Sequence, residues 1–74
     1  MKLECLDSSE IQIGETIKVV LQHKYESNRH WIDIRKWSKY NSDDYFATSK
    51  GIMMSLENWK AILPTLNSFI DKST

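Results

Sequence analysis

The chain has one cysteine, one proline, two glycines and no excess of either charge. Each scarcity excludes something. A lone Cys5 cannot close a disulfide within the chain, and a reducing compartment is the default. Two glycines make no Gly-rich loop to cradle a phosphate, and no nucleophile motif or paired acid and base is present. No apolar run is long enough to span a bilayer. Met1 to Ile11 carries acidic and polar residues where a signal peptide needs an apolar core. Repeats, low-complexity tracts and linkers are also missing. The expectation is one intracellular domain over residues 1–74, with no membrane association, no cofactor and no enzyme activity. Its place is the cytoplasm or nucleoid, or the host cytoplasm for a viral protein. A chain of 74 residues buries only about 60% of its unfolded surface, so self-association is a natural source of further burial.

Zero net charge argues at first against nucleic acid, but the distribution is uneven. Residues 1–15 carry one lysine against four carboxylates, and residues 40–74 three lysines against four. Between them, residues 18–39 carry six cations, Lys18, Lys24, Arg29, Arg35, Lys36 and Lys39, against Glu26 and Asp33. The same segment holds Tyr25, Trp31 and Trp37. Local clustering, not total charge, decides whether phosphate is attracted.

The segment His30-Trp31-Ile32-Asp33-Ile34-Arg35-Lys36-Trp37 has the two-residue period of a half-buried strand. Ile32 and Ile34 would point to a core, leaving Trp31, Asp33, Arg35 and Trp37 on the opposite face. Indoles and a guanidinium on an outward face suit stacking on bases and pairing with phosphates. The bland alternative is an ordinary solvated strand face, with a Trp covering a sheet edge or a dimer contact.

Other strands follow from the same period. Ile11-Gln12-Ile13 before Gly14-Glu15 reads as a short strand and turn. Ile17, Val19, Leu21, His23 and Tyr25 make 16–25 a second strand. The turn cluster Glu26-Ser27-Asn28 leads into a third, 29–37. Asn41-Ser42-Asp43-Asp44 is the next connection, and 45–52 is a fourth strand, irregular at Gly51. After Met54 the period changes. Leu56, Trp59, Ile62, Leu63, Leu66, Phe69 and Ile70 form one stripe on a helix, with Ser55 at the N-cap and Glu57 in the first turn. Pro64 should kink that helix without ending it. The fold class is α+β: a four-stranded antiparallel sheet followed by one C-terminal helix, ββββα, with the helix packed on one face.

Trp31-Ile32-Asp33-Ile34-Arg35-Lys36-Trp37, Lys50-Gly51-Ile52 and Leu56-Glu57-Asn58-Trp59 occur in that order and on those elements. Together they resemble the positive cofactor 4 transcriptional coactivator family over roughly Ile11 to Asp71. The resemblance implies a homodimer of subunits with curved ββββα sheets whose helices help build the dimer interface. It implies sequence-independent binding of single-stranded DNA, and protein partners in replication, recombination or transcription. By position, Arg35 matches the family's strand arginine and Lys50 the lysine before the glycine. Tyr25 falls near a stacking phenylalanine, and Arg29 lies where a basic residue contacts backbone. The family's stacking tryptophan aligns with Ser38, and the aromatic beside it with Trp37. Either Trp37 takes that role or the alignment shifts by one. The Ser- and Lys-rich amino-terminal region of the eukaryotic coactivators has no counterpart, so a prokaryotic or viral short form is expected.

On this reading Tyr25, Trp31 and Trp37 stack on bases, while Lys24, Arg29, Arg35, Lys39 and Lys50 meet phosphates. Asp33 would repel phosphate unless it orients Arg35 or Arg29 through a salt bridge. Met53, Trp59, Ile62, Leu63, Leu66 and Phe69 belong to the core or the dimer interface. His23 and His30 could meet Cys5 across a hairpin, but no ligand spacing supports a metal site. Two other functions remain open: a coactivator working mainly through protein contacts, and an RNA-binding module using the same aromatic sheet.

Overall fold

The structure is a computed structural model that describes residues 3–41 and 43–73. Met1, Lys2 and Thr74 lie outside the described residues, as does Ser42 of the Asn41–Asp44 connection. Four strands and a helix follow in order: β1 (Glu4–Gln12), β2 (Ile17–Glu26), β3 (Arg29–Ser38), β4 (Phe46–Ser55) and α1 (Leu56–Ser73). The strands pair antiparallel in sequence order as one sheet, with β1 and β4 at its edges. The ββββα architecture expected from the sequence is the one observed.

The β2–β3 hairpin closes through a two-residue loop. Ser27 and Asn28 both adopt left-handed backbone, with φ of 54° and 60°, the conformation whose twist matches the flanking strands. Asn28 tolerates this conformation well, and the Tyr25 hydroxyl donates to its Oδ1 at 3.0 Å. A two-residue loop fixes the register, placing Lys24 opposite Trp31, Gln22 opposite Asp33, Val20 opposite Arg35 and Lys18 opposite Trp37. Both edge strands carry irregularities. Leu6 is an extra residue in β1 between the Cys5–Lys24 and Asp7–His23 pairs. In β4, residues 48–50 oppose Lys36 alone, between the Arg35–Gly51 and Trp37–Ala47 pairs. Such bulges bend a strand and blunt an exposed edge.

Gly51 has a steric reason to be glycine. A Cβ there would stand 2.7 Å from both the Arg35 Cα and the Ile34 carbonyl oxygen. The irregularity expected at Gly51 sits immediately before it. There the Thr48 hydroxyl donates to the Lys36 carbonyl at 2.7 Å and accepts from the Lys50 N–H at 3.2 Å.

Two sequence expectations need correction. The first strand is not a short segment at Ile11–Ile13 but begins at Glu4. It is an exposed edge strand along its whole length, so no buried face imposed an alternation to read. The helix does not lie over a face of its own sheet. Leu56 and Trp59 are half-buried, and the Trp59 indole N–H donates to the Ile32 carbonyl at 2.8 Å. Beyond Trp59 every described helix residue is exposed. The helix runs unbroken through Pro64.

The chain therefore buries little. Val20 is the one buried apolar residue among the described residues. The accessible surface is 5823 Å², against roughly 4,700 Å² for a compact 8.7 kDa monomer. The radius of gyration, 14.2 Å, exceeds the roughly 11 Å of a compact chain this long. No helix among the described residues is long and apolar enough to cross a membrane.

Candidate nucleic-acid interface

Residues paired across the strands share a face, so the register sorts the sheet into two surfaces. One carries Lys18, Val20, Gln22 and Lys24 from β2 with Trp31, Asp33, Arg35 and Trp37 from β3. The other carries Ile17, Val19, Leu21, Ile32 and Ile34, with Ile11 from β1 and Ile52 and Met54 from β4. The first is called the polar face and the second the apolar face.

At the centre of the polar face lies an ion pair. Arg35 Nε and Nη2 donate to the two Asp33 carboxylate oxygens at 3.2 and 3.1 Å, and Nη1 donates to the Thr48 carbonyl at 2.9 Å. Asp33 is buried and Arg35 half-buried. Of the two partners expected for Asp33, Arg35 is the one it holds. The guanidinium is thereby fixed across β3 and the β4 bulge, with its charge largely balanced. Among the described residues, three of its five N–H donors are used within the protein.

Trp31 and Trp37 flank this pair. Both are half-buried, and both indole N–H groups are buried without a partner. The exposed part of each ring is therefore hydrocarbon, the part that stacks on a base. A cation stands near each ring: the Arg29 guanidinium 5.6 Å from the Trp31 centroid, and Lys18 Nζ 6.0 Å from that of Trp37. Lys18 is also held by Glu10 at 2.9 Å.

Sequence reasoning missed Tyr45. Lys18 Nζ lies 4.3 Å and Lys39 Nζ 5.2 Å from its ring centroid, and Gln12 Nε2 donates to its hydroxyl at 2.7 Å. The residue follows a turn cluster and reads as the first position of a strand, so no period marks it. The one signal was its aromatic character close behind a basic strand. Lys24 faces the polar side opposite Trp31, and Lys50 is exposed within the β4 bulge.

Tyr25 does not join this group. By register it pairs with His30 on the apolar face, ring centroids 5.0 Å apart. The stacking set read from sequence is thus split, with Trp31 and Trp37 on one face and Tyr25 on the other. His30 also meets His23, Nδ1 to Nε2 at 2.9 Å. Cys5 takes no part in that contact and lies on the polar side opposite Lys24. No group of three or more potential metal ligands converges among the described residues. Of the core or interface candidates, Trp59 is half-buried. Met53 lies opposite Asp33 on the polar face and is exposed, while Ile62, Leu63, Leu66 and Phe69 are exposed on the helix.

The fold has counterparts among solved structures. A PC4 homologue from Burkholderia pseudomallei superposes with a TM-score of 0.70 at 18% identity, over 88% of this chain and 93% of its own. The bacteriophage T5 homologue of the eukaryotic transcription coactivator PC4 is implicated in recombination-dependent DNA replication. It superposes with a TM-score of 0.69 at 21% identity, over 92% of this chain and 82% of its own. At these identities the likeness is one of fold. Comparison with curated protein sequences gives no match. The sequence profile of Transcriptional Coactivator p15 (PC4) matches residues 11–64, a span from the end of β1 through the ion-paired strand to the middle of the helix. With that profile covering well over half of its length, the chain belongs to the transcriptional coactivator p15 (PC4) family.

Proposed function

We propose that the protein binds single-stranded DNA without strong sequence preference, as a homodimer, and acts in DNA replication or recombination. The observation that carries the reading is the row of cations over rings on the polar face. Arg29 lies near Trp31, Lys18 near Trp37, and Lys39 beside Tyr45. An aromatic face stacks on any base, worth about 1–3 kcal/mol per base, and the cations attend the phosphates. The role in replication or recombination is supported by the fold shared with the phage T5 homologue.

The homodimer is supported by the exposed helix stripe and by the surface in excess of a compact monomer, about 1,100 Å² by the scaling above. That is on the order of one partner's share of a standard interface.

Titration of intrinsic tryptophan fluorescence with an oligo-dT of about twenty nucleotides tests the reading, with a matched duplex and two salt concentrations as comparisons. Strong quenching by the single strand, weaker duplex binding and a salt-dependent affinity are expected. No binding to the single strand at low salt would overturn it. A matched RNA oligonucleotide as competitor should bind less tightly if DNA is the preferred strand.

A further inference from the structure

Arg35 pairs with Gly51 and Trp37 with Ala47, so β4 takes four steps where β3 takes two. An even surplus keeps the parity of β4, and its residues hold the same faces on both sides of the bulge. Gly51 pins one side, since a Cβ in its place would meet the Arg35 Cα and the Ile34 carbonyl oxygen at 2.7 Å. The surplus is absorbed within residues 48–50, which have Lys36 alone across from them. Lys50 therefore has no paired residue on β3 to fix its place.

Thr48 supplies what a cross-strand pair would. Its half-buried hydroxyl donates to the Lys36 carbonyl on β3 and accepts from the Lys50 N–H, closing the bulge from within. Its carbonyl accepts from Arg35 Nη1. One residue thus ties the backbone of Lys50 to the strand that carries the Asp33–Arg35 pair. The two cations differ in what they have to offer. Arg35 is matched by Asp33 at 3.1 Å, whereas Lys50 is exposed beside the glycine that faces Arg35. A lysine is a point charge on a flexible four-carbon stem, so what a fold can fix is the root of that stem. We propose, resting on the single-strand reading above, that Thr48 is a positioning residue. Its hydroxyl holds the Lys50 backbone so that the ammonium meets a phosphate of the strand on the polar face.

The test uses the full chain and follows the anisotropy of a labelled oligo-dT of about twenty nucleotides over a range of salt concentrations. Lys50→Ala should lower the slope of log affinity against log salt by about 0.7, which is about fivefold in affinity near 0.1 M salt if screening removes the contact near 1 M. Exchanging the two exposed neighbours, Ser49→Lys with Lys50→Ser, keeps the charge of the bulge but moves it off the residue bonded to Thr48. It should lose as much as Lys50→Ala. Thr48→Val keeps the branched shape and removes the hydroxyl. It should weaken wild type by a similar factor and add nothing on the Lys50→Ala background, while Thr48→Ser should retain most of the affinity. Circular dichroism melts establish that each variant is folded at the temperature of the titration. Should Thr48→Val not fold, the exchange of residues 49 and 50 decides alone. Wild-type affinity in the exchanged variant overturns the proposal, because only the summed charge would then count. An undiminished loss from Thr48→Val on the Lys50→Ala background also overturns it, because the hydroxyl would then act on the sheet as a whole. Both results leave the single-strand reading intact, whereas failure of the wild type to bind oligo-dT removes both readings together.

Discussion

The two faces of the sheet reverse the usual relation between polarity and burial. The polar face holds Val20, the one buried apolar residue among the described residues, and the buried Asp33, with Arg35 tied to Asp33 and Thr48. The apolar face, rich in isoleucine, leaves Ile11 and Ile52 more than half exposed. A buried charge is tolerated where its hydrogen bonds are met within the chain, and the polar face meets them alone. Aliphatic carbon has no such internal solution here, because beyond Trp59 the stripe of α1 is exposed and not packed on its own sheet. The first face thus balances its central charge within one chain. The second leaves aliphatic carbon exposed, the surface that the proposed partner would cover.

The largest test of that contrast is on the helix. Leu66 is exposed on the same stripe as Ile62, Leu63 and Phe69. If a second chain covers that stripe, Leu66→Glu removes about 1.5–3 kcal/mol of apolar burial, twice over in a symmetric dimer. Sedimentation velocity at micromolar concentration should show wild type at twice the 8.7 kDa chain mass and the variant as a monomer. The variant's melting temperature should no longer rise with protein concentration. A monomeric wild type with a sharp, concentration-independent melt would break the contrast, since a single chain would then tolerate the open apolar face.

Next in size is the ion pair. Asp33→Ala leaves the Arg35 guanidinium unpaired in a half-buried place. Removing one partner of a fully buried pair costs about 3–5 kcal/mol. With the Arg35 side chain about a quarter exposed, solvent screening lowers the expected loss to about 2–3 kcal/mol. Urea unfolding measures it, and Asp33→Asn should recover part by keeping one acceptor oxygen. A loss below about 0.5 kcal/mol would make the pair no different from a surface contact. Oligonucleotide affinity gives a second reading of the same variant. Tighter binding by Asp33→Ala would show that the carboxylate mainly repels phosphate, and its orienting role would fall.

Much of this contrast was legible in the sequence. The alternation in 29–37 put Ile32 and Ile34 on one face and Trp31, Asp33, Arg35 and Trp37 on the other, and the register agrees. The helix stripe was equally plain, because three- and four-residue steps survive whatever the stripe packs against. What covers it was not legible, since a period cannot distinguish a contact within the chain from one between chains. The position of Tyr25 was within reach. It shares parity with Ile17, Val19 and Leu21, and only the two-residue turn was needed to set it beside His30 rather than Trp31. The β4 bulge was hidden further. It depends on the Thr48 hydroxyl bonding to a strand that ends ten positions before it, and local composition gives no sign of that.

The smallest expected effect separates the faces most directly. Lys24 and Lys36 are both half-buried lysines in the two central strands. Lys24 lies on the polar face opposite Trp31, and Lys36 on the apolar face opposite Val19. If a single strand lies on the polar face, Lys24→Ala should reduce the slope of log affinity against log salt by about 0.7, the value for one phosphate contact on a single strand. Lys36→Ala should leave the slope unchanged. Neither substitution should move stability by more than about 0.5 kcal/mol, so the comparison is free of folding effects. Equal losses in slope would mean that the strand senses only the summed charge around the sheet. Loss in Lys36→Ala alone would move the nucleic acid to the apolar side, beside Tyr25 and His30, and would leave the aromatic row of the polar face as a structural layer.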